Sequence, residues 1–286
     1  MPSSSSAQAA RRHLADQLRE IREASGLTGR ALASLAGWHG SKVSRIEHGA
    51  RAISSTDLDV WLEICAVPPR RAAELRAEHR SAAGTWTSYQ RLNRAGLAGA
   101  QRSVRSWFEE TALMRVYQPK VIPGLLMTEG YTMEALRSVR DSQNVAVDDV
   151  AEAVAERLDR QRVLREGVHR FLFVVEESVL YCRAVPVAVH REQLRHLLQV
   201  MSLPSVVLGI VPMDAARPLL WPSEAFTMFD DRLVAVELVS GFLSITQPSE
   251  IAMYQREWGL LFSLAVHGRA ARRLIIMALE SLDGPE

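Results

Sequence analysis

The sequence has few of the residues on which metal-binding and secreted proteins depend. Its 286 residues include two cysteines, Cys65 and Cys182, which are far apart in the chain and lie among apolar neighbours. Two such thiols form neither a disulfide framework nor a metal site, so the sequence predicts a cytoplasmic protein without a bound metal. We expect both cysteines to be buried as small hydrophobic side chains.

The sequence also lacks membrane, secretion and catalytic signals. No apolar run approaches the roughly 18 residues that cross a membrane, and the N-terminus has no apolar segment typical of a secretion signal. Glycine-rich nucleotide loops, Walker loops, His-Glu-x-x-His and Cys-x-x-Cys motifs are absent. The paired carboxylates Glu176-Glu177 and Asp230-Asp231 suit a strand end and a hairpin turn. We therefore predict no enzyme, no catalytic residue and no cofactor.

The charge is distributed unevenly although the net charge is only +1. Residues 1–82 carry 12 basic against 9 acidic residues, whereas residues 121–286 carry 16 against 22. A basic N-terminal part and a mildly acidic C-terminal part suit a DNA-binding domain joined to a second domain. We predict a disordered tail at 1–8, a helix-turn-helix domain at 9–83, a linker at 84–99 and an effector and dimerisation domain at 100–286.

The stretch Gly26–Gly49 predicts two short helices joined by a tight turn. Thr28 is a suitable N-cap for the first helix, and Gly37 lies where a helix ends with a residue that tolerates positive φ. Helical spacing puts three apolar residues of the first helix on one face: Leu32, Leu35 and Ala36.

A second short helix is predicted at Gly40–His48, with Val43 and Ile46 directed inward. Its outward positions are polar: Ser41, Lys42, Ser44 and Arg45. Two helices this short cannot bury a core of their own. We expect support from helices over residues 9–25, 54–65 and 70–83, which makes five helices in the domain.

These residues resemble the helix-turn-helix of XRE/Cro-like transcription regulators. The resemblance is carried by Leu27-Thr28, Leu32-Ala33, Gly37-Trp38, Ser41 to Glu47, and Gly49. It implies that the recognition helix Gly40–Glu47 enters the major groove of DNA. The alternative is an ordinary helical hairpin, but that does not explain hydrogen-bond donors at the start of the second helix.

The resemblance implies DNA contacts at particular residues. Candidates for base edges are Ser41, Lys42, Ser44 and His39, and candidates for phosphates are Arg30, Arg45, Arg51 and the backbone amides at the Thr28 end. We expect Glu47 to contact a basic residue of its own domain instead of a base.

Gly40 departs from the family pattern, because regulators of this family commonly have Gln or another long polar residue there. Glycine cannot bond a base edge, so readout is expected to shift towards Lys42 and Ser44. On this hypothesis Lys42→Ala relaxes specificity at one base pair by about 1–3 kcal/mol, and Arg51→Ala weakens binding to all sequences alike.

The predicted linker Gly84–Gly99 is basic and carries Trp86 and Tyr89. Aromatic residues in a basic segment could stack on nucleic acid. The favoured interpretation is a hinge whose aromatic side chains pack against the second domain.

The remainder predicts a mixed α/β (α+β) domain with a small sheet and long helices. Strands are expected at 170–176, 206–211, 225–229, 233–239 and 242–246, and helices at 100–116, 147–166, 186–201, 248–267 and 269–282. The strand–helix–strand spacing over 170–211 favours a parallel pair. In helix 147–166 an i, i+4 pair between Glu156 and Arg160 is expected.

Four arginines of helix 147–166 allow two interpretations: Arg157, Arg160, Arg162 and Arg165. They could form a phosphate-binding stripe. The interleaved acids Glu152, Glu156 and Asp159 favour a solvated face with ion pairs.

The second domain resembles the effector domain of unknown function that actinobacterial regulators join to this helix-turn-helix. The resemblance is carried by Val121 to Leu126 with Thr128 and Tyr131, Arg157-Leu158-x-Arg160-Gln161, Phe229-Asp230, Val236-Glu237 and Ile251-x-x-Tyr254. It implies an antitoxin-like regulator, and many such regulators are encoded beside a small partner protein.

We therefore expect a cytoplasmic homodimer that binds an inverted-repeat operator in double-stranded DNA and is nucleoid-associated when bound. Two alternatives are a module that binds a small neighbour-encoded protein and a small-molecule sensor. For the sensor, we expect a pocket between the sheet and the last two helices.

Overall fold

A computed structural model of the chain describes residues 5–51, 53–84 and 86–283. The chain divides into two compact units, the first ending at Trp86 and the second beginning at Thr87. The first unit is helical, and the second combines helices with a seven-stranded mixed sheet. The predicted fold class, a helical N-terminal domain followed by a mixed α/β domain, is confirmed. None of the described helices is both long and apolar enough to span a bilayer.

Five helices form the described part of the first unit: α1 (Ser5–Ala24), α2 (Gly29–Leu35), α3 (Gly40–Glu47), α4 (Ser55–Ile64) and α5 (Pro69–Gly84). The predicted cap Thr28 accepts a hydrogen bond from the Ala31 amide at 3.1 Å, and Ser54 accepts one from Asp57. Gly37 has φ +68° directly after α2, as expected where a helix ends in a left-handed residue.

Helix α1 begins earlier than expected. It includes residues 5–8, which were predicted to belong to a disordered tail, whereas residues 1–4 lie outside the described residues. The prediction was wrong for residues 5–8 because the run Ala7-Gln8-Ala9-Ala10 consists of residues with high helix propensity, which continue the helix towards the N-terminus.

The core of the first unit contains most of the residues that the helical spacing directs inward. Its fully buried side chains include Leu18, Leu32, Val43, Leu58, Trp61 and Leu75. The prediction that Leu35 shares the apolar face of α2 is wrong, since 64% of the residue is exposed. The buried residues of α2 are the adjacent Leu32 and Ala33, and at about 100° per residue Leu35 falls outside the face that they define.

The second unit contains eight helices among its described residues. They are α6 (Tyr89–Leu92), α7 (Leu97–Ser103), α8 (Arg105–Glu109), α9 (Glu129–Ser142), α10 (Val150–Arg160), α11 (Val187–Val200), α12 (Pro248–Leu264) and α13 (Gly268–Glu280). Its strands are β2 (Leu113–Gln118), β3 (Arg170–Glu176), β4 (Val206–Val211), β5 (Phe226–Phe229), β6 (Leu233–Leu238) and β7 (Gly241–Ile245), together with β1 (Trp86–Ser88) at the unit boundary.

The sheet has the strand order β1-β7-β6-β5-β2-β3-β4. β3 and β4 are parallel and are joined through α11, which confirms the predicted strand–helix–strand unit. β5 and β6 form the predicted hairpin, in which Asp230 has φ +51°. β2 joins the two halves of the sheet, since it is parallel to β3 and antiparallel to β5.

Strand β2 corrects the helix predicted over 100–116. Helix α7 ends at Ser103 and helix α8 ends at Glu109, and strand β2 follows at Leu113. Met114 and Val116 are buried, and hydrogen-bonded neighbours lie on both sides of the strand. Helical spacing within the segment could not reveal these partners, because they come from more than 50 residues later in the chain.

The segment predicted as a linker at 84–99 also has regular structure. Residues 86–99 contribute β1, α6 and the start of α7. The Tyr89 amide donates to the Ser240 carbonyl at 2.9 Å, and the Tyr89 ring lies 6.5 Å from the Phe242 ring. The expectation that aromatics of this segment pack on the second domain is confirmed for Tyr89, and most of the segment predicted as a linker is helix or strand.

The helix predicted at 147–166 is shorter, and its polar face is not solvated throughout. α10 ends at Arg160 and continues as a 3-10 turn, Gln161–Leu164. Glu156 accepts from Arg102 at 2.9 Å and does not pair with Arg160. Arg160 is only 7% exposed because α10 packs against α7, so the predicted solvated face is wrong at this position.

The contact between α7 and α10 depends on one carboxylate. Asp149 accepts hydrogen bonds from the Leu97 and Ala98 amides at 2.8 and 2.9 Å, at the start of α7. Gly96 precedes them with φ +104°, and a Cβ there would lie 2.2 Å from an Asp149 carboxylate oxygen. Only glycine fits this position, because both its conformation and the close carboxylate exclude a side chain.

We expect Asp149→Ala to destabilise the second unit by about 1–2 kcal/mol, because two amides at the start of α7 lose their acceptor. The matched control is Asp148→Ala. Asp148 is exposed and pairs with Arg140 at 2.9 Å, so its loss should cost about 0.5 kcal/mol or less. Denaturant-dependent hydrogen exchange of α7 amides measures both, and equal effects would contradict the assigned role of Asp149.

Candidate nucleic-acid interface

The first turns of α2 and α3 border a shallow groove on the surface of the first unit. It is lined by Thr28, Gly29, Arg30, Gly40, Val43, Ser44 and Glu47. α3 directs Val43 and Ile46 into the core, as predicted, at 0% and 2% exposure. Ser41, Ser44 and Arg45 are exposed, so the outer face of α3 is polar and open to a partner.

The exposed start of α3 is held by its own polar side chains. His39 is the N-cap, and its Nδ1 accepts from the Ser41 amide at 3.3 Å and lies 2.9 Å from the Ser41 hydroxyl. Arg45 donates through Nε to the Ser41 carbonyl at 3.1 Å. Three of the predicted DNA-contacting residues, His39, Ser41 and Arg45, therefore form one exposed polar cluster.

Lys42 differs from the other predicted base contacts because its ammonium group already has partners. Its Nζ lies 2.7 Å from Asp57 Oδ1 on α4 and 4.1 Å from the centre of the Trp38 ring. Burial disfavours the charged form of Asp57, but hydrogen bonds from Lys42 and Ser54 outweigh it and lower the pKa of this carboxyl group. No local pattern in the sequence pointed to Asp57, since it lies 15 residues from Lys42 in another helix.

Glu47 attaches the end of α3 to α1. It accepts from Arg22 Nε at 2.5 Å and from Arg22 Nη2 at 3.2 Å, and both side chains are about nine-tenths buried. The hydrogen bond that Arg22 donates to Glu47 raises the pKa of Arg22 despite burial. Arg22 also donates to the Leu27 carbonyl at 2.7 Å. The prediction that Glu47 contacts a basic residue of its own domain is confirmed.

The basic side chains of the first unit fall into two groups. Several are paired with carboxylates, including Arg19 with Glu23, Arg71 with Glu74 and Arg76 with Asp59. In the part of the chain that the structure describes, no carboxylate lies within 4.0 Å of three exposed arginines: Arg30, Arg45 and Arg51. These are the three arginines that the sequence assigned to phosphates. They occur at the start of α2, on α3 and just after α3.

Two further residues shape this surface. Arg12 on α1 is a further exposed arginine with no carboxylate within 4.0 Å among the described residues, and it was not predicted as a DNA contact. Its Cγ lies 3.4 Å from where a Cβ on Gly49 would be. A Cβ added to Gly40 would meet no neighbouring atom within 4 Å, so nothing in the packing requires glycine at this position. The absence of a long polar side chain there leaves the first turn of α3 open.

Comparison with known proteins separates the same two parts of the chain. The profile of a family described as "Helix-turn-helix domain" matches residues 13–75. A second profile, "Domain of unknown function (DUF5753)", matches residues 101–276, which is more than half of the chain. The chain belongs to the DUF5753 family. The two matches confirm a helix-turn-helix regulator that carries a C-terminal domain of unknown function.

Two other comparisons add little. No protein of curated function matches the sequence. The solved structure of TrmBL2, described as an archaeal chromatin protein with a novel mode of DNA binding, is 9% identical over 85% of this chain and 88% of that chain. Its TM-score of 0.31 is too low to support any conclusion about this DUF5753 protein.

We expect Arg22→Met to cost the first unit about 3 kcal/mol, because it leaves Glu47 as a buried carboxylate without a partner. The double variant Arg22→Met with Glu47→Leu should recover part of this loss. Arg19→Met is the control, because it removes an exposed pair on the same helix and should cost about 0.5 kcal/mol or less. The test is chemical denaturation resolved by hydrogen exchange in α1 and α3. The two side chains would act independently if the double variant lost as much stability as Arg22→Met and Glu47→Leu lose in total when each is made alone.

Proposed function

We propose that this protein is a transcription regulator of the XRE type that binds double-stranded DNA. The observation that carries the proposal is a set of three exposed arginines, Arg30, Arg45 and Arg51, with no carboxylate within 4.0 Å among the described residues. They lie at the two helices whose polar ends line one groove. Unpaired cations on one surface attract phosphates, because binding releases the counterions condensed on DNA. The helix-turn-helix family match supports the same function.

In the proposed complex α3 lies in the major groove. Ser41, Ser44 and His39 face base edges, and Arg45 reaches either a base or a phosphate from the same face. Arg30 and Arg51 contact phosphates on either side, and the exposed Thr28 lies beside the backbone at the start of α2. This arrangement agrees with the docking of other helix-turn-helix domains.

The geometry changes the role that we assign to Lys42. A base contact would require its ammonium group to leave both Asp57 and the Trp38 ring, so a base would compete with a partly buried ion pair. We propose that Lys42 positions α3 against α4, and that readout falls mainly to Ser41, Ser44 and Arg45. This replaces the expectation that Lys42→Ala relaxes specificity at one base pair.

We further propose that the protein acts as a cytoplasmic, nucleoid-associated homodimer on an inverted repeat with half-sites about 34 Å apart. Apolar side chains exposed on α12 and α13 support a dimer surface there: Met253, Leu260, Ile276 and Met277. Its resemblance to actinobacterial, antitoxin-like regulators supports the same assignment.

A small neighbour-encoded partner protein is a second candidate, because Leu219 and Trp221 are 78% and 87% exposed in one loop of the second unit. Large apolar side chains this exposed are frequent at protein interfaces. Sizing chromatography of the chain mixed with its neighbour-encoded protein tests this candidate.

We expect Arg51→Ala to weaken binding to operator and random duplex by the same factor and to reduce the salt dependence of log K by about 1. Lys42→Met should lower the stability of the first unit and, in the folded protein, change affinity for all sequences alike. The control Arg76→Ala removes an arginine that is paired with Asp59 and should leave binding unchanged.

These variants are measured by fluorescence anisotropy across salt concentrations, with an operator found by genome-wide footprinting of the tagged full chain. Failure of the wild-type chain to bind duplex DNA at low salt would rule out the proposed function. If Lys42→Met lost sequence preference at one base pair only, Lys42 would contact a base, as the sequence predicted.

We expect Gly40→Gln to leave the first unit folded and to change the preferred operator sequence at one or two base pairs. The reason is that the added side chain enters open space at the first turn of α3 and supplies a bidentate group suited to adenine. Selection of bound sequences from a random pool compares it with Gly40→Ala, which fills the same position without a hydrogen-bonding group. Identical preferences in all three proteins would mean that this turn does not face the bases.

A further inference from the structure

The second unit contains a cavity of about 480 Å³ that the sequence did not place. Helices α7, α9 and α10, strand β2 and the segment 121–127 supply most of its walls, and apolar side chains dominate them, including Phe108, Val116, Leu125, Tyr131, Phe173 and Phe242. None of its lining residues belongs to α12 or α13, so this cavity is not the pocket expected between the sheet and the last two helices. A volume of this size is typical of small-molecule sites.

Two arginines of α10, Arg157 and Arg160, lie in the wall of this mainly apolar cavity, which also contains the carboxylates Glu134 and Glu237. Arg157 donates through Nε to the Gln101 side-chain oxygen at 3.2 Å, and Arg160 donates through Nη2 to the same oxygen at 3.0 Å. Arg160 also lies 4.5 Å above the Phe108 ring. These contacts are neutral, so they orient both guanidinium groups without balancing their charge.

Among the described residues, no carboxylate forms a direct ion pair with either arginine, since none lies within 4.0 Å of either guanidinium group. The buried Nε of Arg160 also has no hydrogen-bond partner there. A buried charge without a counter-ion and a buried donor without an acceptor are both costly. Such an arrangement is uncommon unless a ligand supplies the missing anion.

The electrostatic surroundings of Arg157 and Arg160 also favour an anionic ligand. Burial lowers the pKa of Arg157, and Glu237, which also lines the cavity, opposes this effect only in part. Burial also lowers the pKa of Arg160, repulsion from Arg157 and Arg105 adds to this effect, and Glu156 and Glu237 oppose it only in part. Two desolvated cations that repel each other present a positive field to the cavity. Binding an anion between them would relieve both effects.

The two arginines are held in place before any ligand binds. Asp149 fixes the start of α7 against α10, and Gln101 of α7 then bonds both guanidinium groups. Arg160 also donates to the Gln101 carbonyl at 3.2 Å. Arginine suits this role because its planar group forms paired bonds to carboxylate and phosphate oxygens. Prior ordering of the donors lowers the entropic cost of binding.

We propose that this cavity binds a small organic anion with an apolar body. Its carboxylate or phosphate group accepts hydrogen bonds from Arg157 and Arg160, and its body lies against the apolar wall. The two arginines were interpreted from the sequence as part of a solvated face, and no match of the chain assigns them a ligand. The site is contained in the second unit, so the inference does not depend on DNA binding.

Calorimetry and thermal unfolding of the full chain with octanoate, octyl phosphate and octanol test the proposal without DNA. The three probes share one apolar body and differ in their head groups. We expect at least one anion to bind about tenfold or more tightly than octanol, as expected for charge-assisted hydrogen bonds. The preferred anion distinguishes a carboxylate from a phosphate ligand.

Arg157→Met and Arg160→Met should each weaken binding of the preferred anion about tenfold or more, because each removes one charged donor. Arg162→Met is the matched control, because Arg162 lies two residues beyond Arg160, is exposed and pairs with Asp159. It should leave affinity unchanged. If either cavity variant does not fold, the comparison of anion with alcohol on the wild-type chain still decides the question.

Three results would overturn the proposal. They are equal affinity for octanoate, octyl phosphate and octanol, an equal loss in Arg162→Met and Arg160→Met, and no binding of either anion at about 1 mM. Loss of DNA binding by the whole protein would leave all three measurements interpretable, so failure of this inference is distinguishable from failure of the proposed function.

Discussion

The ion pair between Arg22 and Glu47 fixes helix α3 within the first unit. It joins the end of α3 to α1, while Lys42 and Asp57 join the first half of α3 to α4. An eight-residue helix is unstable by itself, so these side-chain contacts and the buried Val43 and Ile46 determine where it lies. The exposed polar face of α3 has a fixed orientation because these contacts hold the opposite face of the helix. It is therefore available to a partner.

Within the described ranges, both units contain arginines that have no carboxylate within 4.0 Å, but these arginines differ in their exposure to water. Arg30, Arg45 and Arg51 are exposed, so water stabilises their charge and they remain available to phosphates at little cost to folding. Arg157 and Arg160 line a cavity in which water cannot stabilise the charge equally well. The same residue type therefore supports an open, salt-sensitive surface in one unit and a site for one bound anion in the other.

The sequence predicted those features whose signals are local. The caps at Thr28 and Ser54, the positive φ of Gly37 and the strands β3 to β7 follow from a few neighbouring residues each. Strand β2, the Lys42–Asp57 pair and the burial of Arg160 depend on partners far along the chain, so their own sequence could not reveal them. The alternating charges of α10 suggested a solvated face, because the sequence of α10 alone does not reveal that α7 packs against it. The error at Leu35 has a different cause, since α2 is too short for spacing alone to define its buried face.

The wall of the cavity includes the segment that directly follows the first unit in the chain. Tyr89 and Leu92 line the cavity and follow closely after α5, the last helix of the first unit. Burial raises the pKa of Tyr89, and Glu237 adds to this effect while Arg157 opposes it, so this segment shares the electrostatic environment of the cavity. A bound anion would stabilise the second unit by an amount that grows with the logarithm of its concentration. DNA affinity would respond only if the anion binds the DNA-bound and free forms of the protein with different affinities, because coupling between two sites is reciprocal.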